Sequence, residues 1–134
     1  MSRENNSALV AKFTEELWHT KNYEIFNELC SPDFIAHDLP SGIPPNKDGF
    51  KGLVMKIHNA FPDVHLTIED EIVDEDKVVL RWNITATHKG EFMGIPATDR
   101  KVGWSGITIY RITGTRISEW WNKSDLSNVP QQLR

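Results

Sequence analysis

The stretch VVLRWNITAT, residues 78–87, places an apolar side chain at every second position. That period is typical of a β-strand that turns one face to a hydrophobic core and the other outward. The same period begins just after Pro62 and returns at about residues 101–111 and 116–125. From Pro62 onward the chain is therefore predicted to form an antiparallel sheet of four long strands.

Before Pro62 the apolar residues repeat at helical spacing instead. The segments with this spacing are 9–18, 25–29 and about 46–61, and a short extended run at 34–36 leads to His37. Proline sets the ends of the second and third segments, because the residue before a proline disfavours helical backbone. Three helices followed by strands make an α+β plan. A long helix across a strongly bent sheet can leave a conical pocket between the two.

Length and composition exclude several classes of protein. We expect the 134 residues to form one domain, residues 1–134. The formal net charge of −4 and the lack of a basic run oppose nucleic-acid binding. Cys30 is the sole cysteine, so no internal disulfide can form, and the five histidines show no paired metal-ligand spacing. With no apolar run near membrane length and no apolar signal segment, we expect a cytoplasmic protein without metal or membrane partner.

Short segments of the chain stand in a characteristic order and spacing. They are FPD (61–63), DKVVLRW (76–82), THKG (87–90), FMGIPAT (92–98), YRI (110–112) and ISEW (117–120). With His37-Asp38 and Gly42 upstream, they resemble the SnoaL-like polyketide cyclases of the NTF2-like superfamily, over about residues 9–132. The resemblance implies a cystatin-like cone, in which three N-terminal helices pack on a strongly bent antiparallel sheet and enclose a cofactor-free pocket. It also implies an oligomer.

The resemblance directs attention to the last two strands. Characterised cyclases of that family close a ring by an intramolecular aldol reaction, using an aspartate on the final strand and a histidine on the preceding one. This chain has Asn122 and Thr108 at those positions. Asparagine cannot exchange a proton at neutral pH, but its amide can donate to an oxyanion. We therefore predict a catalytic set of His37, Asn122 and Asp125, with His37 or Asp125 as the base.

Alternation along the strands predicts the walls of the pocket. Trp104 and Thr108 share one face of their strand, and Trp120 shares a face with Asn122. We predict that Trp104, Thr108 and Trp120 line the pocket, with His58 and His88 as further lining residues.

Ordinary structural roles remain open for these residues. His37 would be a loop anchor, His88 would pair with the neighbouring hairpin, and the aromatic residues would be plain core.

These observations favour a cofactor-independent enzyme that acts on a small, largely apolar carbonyl compound. Its reaction would be an aldol cyclisation, an isomerisation or a dehydration. The alternative is a non-catalytic module of the same fold that binds a small ligand or serves for dimerisation. The polar stripe at Arg81, Asn83, Thr85 and Thr87 marks the outer sheet face, through which we expect a homodimer or homotetramer.

Overall fold

The computed structural model describes residues 2–134. Its helices are Arg3–Trp18 (α1), Ile25–Leu29 (α2), Lys47–Ala60 (α3) and Val129–Gln132 (α4). Its strands are Cys30–Ala36 (β1), His65–Asp74 (β2), Lys77–Thr87 (β3), Lys101–Thr113 (β4) and Arg116–Ser124 (β5). A 3₁₀ turn, Leu126–Asn128, joins β5 to α4. The predicted helices and alternating strands are confirmed, whereas the 3₁₀ turn and α4 lie in a tail that gave no sequence signal.

Local capping explains where the two long helices begin. The Ser2 hydroxyl accepts a hydrogen bond from the backbone N–H of Asn5 at 3.0 Å, which caps α1. The Asn46 side chain accepts from the N–H of Gly49 at 2.9 Å and caps α3 in the same way. At its other end α3 stops before Pro62, which cannot continue a helix. Both helices turn their apolar faces to the sheet.

The five strands form one mixed sheet in the order β1-β5-β4-β3-β2. Neighbours from β2 to β5 are antiparallel, as predicted, but β1 pairs in parallel with β5 at the sheet edge. The prediction of a purely antiparallel sheet is therefore corrected. Register shifts interrupt β1, β2 and β5, and such irregularities bend a sheet. The α+β fold with helices on one face of a bent sheet agrees with the predicted class.

Aromatic side chains fill the space between the helices and the sheet. Phe13 of α1 contacts Phe26 and Tyr110 edge to face, with ring centroids 5.4 and 6.1 Å apart. Phe50 of α3 packs against Trp120 of β5 at 4.4 Å. The tail closes one end of this core through its buried apolar residues, Val129 and Leu133. Across residues 2–134, no helix has the length and apolar character needed to cross a membrane.

Candidate functional site

A cavity lies between α1, α3 and the inner face of the sheet. It encloses about 60 Å³, enough for a few water molecules, and the void reaches about 580 Å³ when the space at its mouth is included. The enclosed volume is smaller than that of typical small-molecule sites, about 300–1,000 Å³, so a larger ligand would extend into the open mouth. Most of the wall is apolar, and four indole rings contribute to it: Trp18, Trp82, Trp104 and Trp120. Such a wall suits an apolar ligand with few polar groups.

One hydrogen-bond chain crosses three strands on the cavity wall. The indole Nε1–H of Trp82 donates to the Thr108 hydroxyl oxygen at 2.8 Å. That hydroxyl donates in turn to Oδ1 of Asn122, also at 2.8 Å. Within residues 2–134, the Nδ2 group of Asn122 has no acceptor in hydrogen-bond reach. The Asn122 amide therefore offers two N–H bonds in a cavity that is otherwise mainly apolar.

Gly106 makes this chain geometrically possible. It lies directly opposite Trp82 in the β3–β4 pair, with the indole against its backbone. A Cβ atom at Gly106 would come within 2.7 Å of Trp82 Cζ2 and 2.6 Å of the Lys123 carbonyl oxygen. Sequence reasoning missed both residues. By alternation Trp82 is one more inward apolar position, and position 106 offers only a glycine inside a strand, which often marks a close approach of another group.

Tyr110 is the one ionisable side chain among the described wall residues. It is 5% exposed, and burial raises the pKa of its phenol well above the ordinary value. At neutral pH Tyr110 therefore stays protonated, and it can act in the cavity only as a neutral hydroxyl.

The structure places His37 outside the cavity. Its imidazole stacks on Trp121 with ring centroids 4.7 Å apart, and its Nε2 lies 3.3 Å from a carboxylate oxygen of Glu119. Glu119 and Trp121 alternate with the inward-facing Trp120 and Asn122, so they occupy the outer face of β5. The expectation that His37 lies at the pocket is corrected, because its side chain lies on the outer face of the sheet; its role as a base stays a prediction.

Two carboxylates near Asn122 hold the backbone instead of facing the cavity. Asp125 is exposed; its carboxylate accepts from the Ser105 N–H at 2.7 Å, while its own N–H donates to the Ser105 carbonyl at 3.1 Å. Asp125 therefore lies outside the wall of this cavity, and its role as a base stays a prediction. Asp38 accepts from the backbone N–H of Asn122 at 2.8 Å. Burial raises the pKa of Asp38, but that hydrogen bond and the Lys123 ammonium outweigh it and hold the pKa below its usual value.

His58 also lies outside the cavity wall, contrary to its predicted lining role. It accepts from the Tyr23 hydroxyl at 2.7 Å and donates to the Trp18 carbonyl at 3.1 Å, and so ties α3 to the end of α1. Burial, together with nearby Lys21 and His19, lowers the pKa of His58. This histidine is a neutral bridge between helices.

His88 does not line the cavity either. It is fully buried, and its Nδ1 lies 2.9 Å from the Thr98 hydroxyl and accepts from the Thr98 N–H at 3.2 Å. The alternative that His88 pairs with the neighbouring hairpin is confirmed. Of the predicted residues, the cavity brings together Trp104, Thr108, Trp120 and Asn122. Their roles toward a ligand stay predictions.

Comparison with known proteins gives one family and many similar structures. A family model described as SnoaL-like polyketide cyclase matches residues 8–133. No curated protein matches the chain.

Three solved structures show the likeness. AclR of Streptomyces galilaeus, provisionally assigned as a hydroxylase, is 26% identical with a TM-score of 0.88, covering 98% of this chain and 97% of its own. A protein of Acidithiobacillus ferrooxidans, provisionally assigned as a polyketide cyclase, is 33% identical with a TM-score of 0.84. The match covers 100% of this chain and 98% of that protein. IdmH of Streptomyces antibioticus, with the same provisional assignment, is 30% identical with a TM-score of 0.81. The match covers 96% of this chain and 97% of IdmH.

Proposed function

Because the chain belongs to the SnoaL-like polyketide cyclase family, we propose that it is a cyclase that needs no cofactor. It closes a ring in a small, largely apolar carbonyl compound by intramolecular aldol addition inside the cavity. The observation that carries this proposal is the Asn122 amide, which presents unpaired N–H groups in a mainly apolar cavity. Those groups would donate to the carbonyl oxygen of the substrate.

The Asn122 amide would act on the oxygen where negative charge develops. When an enolate forms next to a carbonyl, the charge moves to that oxygen, and fixed N–H donors in a dry site stabilise it. The indole walls would hold a folded, planar substrate so that its reacting carbons meet. Both contributions favour ring closure over reaction with water.

The groups available to accept a proton limit which substrates the cavity can cyclise. The described wall contains no carboxylate or imidazole, and Tyr110 stays protonated. The carbon acid would therefore lose its proton to water at the mouth, which requires an acidic C–H flanked by two carbonyl groups. The enolate carbon then bonds to the second carbonyl carbon, whose oxygen takes back a proton from the water at the mouth. The proton lost in the first step is thus regained in the last.

A non-catalytic ligand-binding module is the second candidate. It is favoured by the placement of His37 and Asp125, which leaves the wall without a base. In that case the cavity would hold a carbonyl ligand through the same Asn122 contact and release it unchanged.

The test is turnover of bicyclic and tricyclic β-keto esters that carry a methyl-ketone side chain, followed by mass spectrometry of the products. We expect wild type to accelerate ring closure, and Asn122→Ala to lose on the order of a hundredfold of that rate. Asn83→Ala removes the same side chain from the outer sheet face and is the matched control. Saturable binding of every compound without product would refute the cyclase and support the binding module.

We further propose a homodimer or homotetramer through the outer sheet face. Four apolar side chains form a row across this face, from β2 to β5: Ile72, Val79, Ile109 and Trp121. Ile72 is 58% exposed and the other three side chains are partly exposed, so a partner can reach the row. Light scattering should give two or four times the chain mass, and Ile109→Asp should give the monomer. A monomeric wild type would contradict this proposal.

A further inference from the structure

We infer that Trp82 is a specificity-determining residue that acts through Thr108 on Asn122. It fixes the Asn122 amide with its NH₂ group toward the cavity, so that the site takes ligands offering an acceptor oxygen and rejects ligands offering only a donor. This inference rests on the proposed function for the place where the ligand binds. It goes further in naming the residue that sets the polarity of the site.

The direction of donation along the hydrogen-bond chain follows from the chemistry of the Trp82 indole, with which the chain begins. An indole N–H can only donate, so the Thr108 oxygen must accept from Trp82. The single hydroxyl proton of Thr108 is then free for one partner, Oδ1 of Asn122. Thr108 is 3% exposed, so water cannot easily replace either partner. By donating to the Thr108 oxygen, the indole polarises the hydroxyl and strengthens its own hydrogen bond to Oδ1 of Asn122. Without the indole that bias is lost, and the amide could turn over and present its oxygen to the cavity.

The surrounding structure allows the Asn122 side-chain amide to rotate but holds its neighbours in place. The Asn122 backbone is fixed by its N–H bond to Asp38 at 2.8 Å. The Trp82 ring is fixed by the close approach of Gly106. Rotation of the Asn122 amide is the remaining degree of freedom at this site, and the chain that begins at Trp82 removes it.

A pair of probes of nearly the same shape tests the polarity. 1-Indanone and indole share a fused six- and five-membered skeleton, but indanone carries only an acceptor oxygen and indole only a donor N–H. We expect calorimetric titration to show that wild type binds 1-indanone on the order of tenfold more tightly, because a hydrogen bond is replaced by two facing donors.

Single substitutions in the hydrogen-bond chain test whether that chain causes the preference for 1-indanone. Trp82→Phe keeps an aromatic ring and removes the N–H, and it should bring the two affinities within about twofold of each other. Thr108→Val breaks the chain at its middle while leaving the Trp82 ring in place, so it should have the same effect even if Trp82→Phe folds poorly. Thr115→Val makes the same change as Thr108→Val in an exposed turn and should retain the wild-type ratio. Equal binding of the two probes by wild type, binding of neither, or an unchanged ratio in Thr108→Val would overturn the inference.

A ligand-free measurement separates this inference from the proposed function. In ¹⁵N spectra the Trp82 indole proton should exchange slowly with water, while the Asn122 side-chain protons exchange fast. Slow exchange at the Asn122 amide together with fast exchange at the Trp82 indole would overturn the inference whatever the enzyme does. If polarity and probe preference hold while no β-keto ester is cyclised, the cyclase proposal fails and the inference stands.

Discussion

Replacing Thr108 by valine should destabilise the fold far more than the loss of one hydroxyl from a surface. The variant keeps the branched shape but removes two hydrogen bonds, to Trp82 and to Asn122, each of 2.8 Å. Each such bond contributes about 0.5–1.5 kcal/mol, and an indole N–H left buried without an acceptor costs about 1–3 kcal/mol. The extra apolar burial of valine offsets part of this. We expect a net loss of about 2–3 kcal/mol, a large part of a typical stability of about 5–15 kcal/mol.

Urea unfolding followed by circular dichroism measures this loss. With a slope of about 2 kcal/mol per molar urea, the midpoint should fall by about 1–1.5 M while the slope stays unchanged. Thr85→Val, on the exposed outer face of β3, is the control and should change stability by no more than about 0.5 kcal/mol. A loss below about 1 kcal/mol for Thr108→Val would refute the reasoning, because it would mean that the chain from Trp82 to Asn122 does not form.

Three further predictions concern packing, pH and thiol chemistry. Gly106→Ala should cost about 1–3 kcal/mol in urea unfolding because its Cβ collides with Trp82, whereas Gly52→Ala, in open space on α3, should be neutral or stabilising. Burial lowers the pKa of His58 below the ordinary 6.5, so the unfolded chain takes up the proton more readily. Stability should therefore hold above about pH 7 and decline below 6.5, and His58→Gln should remove that part of the decline. Burial also raises the pKa of Cys30 to about 12, so iodoacetamide should alkylate it in denaturant and not in the native protein at about pH 8.

The sequence predicts the inner face of the sheet well, because alternation alone decides which strand residues face the helices. Trp104, Thr108 and Trp120 lie in the cavity wall for this reason. Alternation stops at a strand end, so it does not assign a face to His37, and it puts Asp125 on the face opposite to Asn122 only if the strand continues unbroken. Each is oriented by a partner distant in sequence, His37 by Trp121 and Asp125 by Ser105.

The sequence does not predict the hydrogen-bond chain from Trp82 through Thr108 to Asn122, because that chain depends on the register between neighbouring strands. Thr108 lies opposite Leu80, and Trp82 lies opposite Gly106. The indole of Trp82 crosses the space left by the missing side chain of Gly106 and reaches Thr108 on the diagonal. Periodicity gives the face of each residue but not its partner across the sheet. The parallel pairing of β1 with β5 was missed for the same reason.

The most direct test of the central claim, that Asn122 donates to the oxygen of a carbonyl ligand, is the infrared spectrum of bound 1-indanone labelled with ¹³C at its carbonyl. Hydrogen bonding weakens a C=O bond, so we predict a lower stretching frequency in wild type than in Asn122→Ala, with Asn83→Ala matching wild type. The same frequency in wild type and Asn122→Ala would contradict the claim, since the carbonyl oxygen would then receive no hydrogen bond from Asn122.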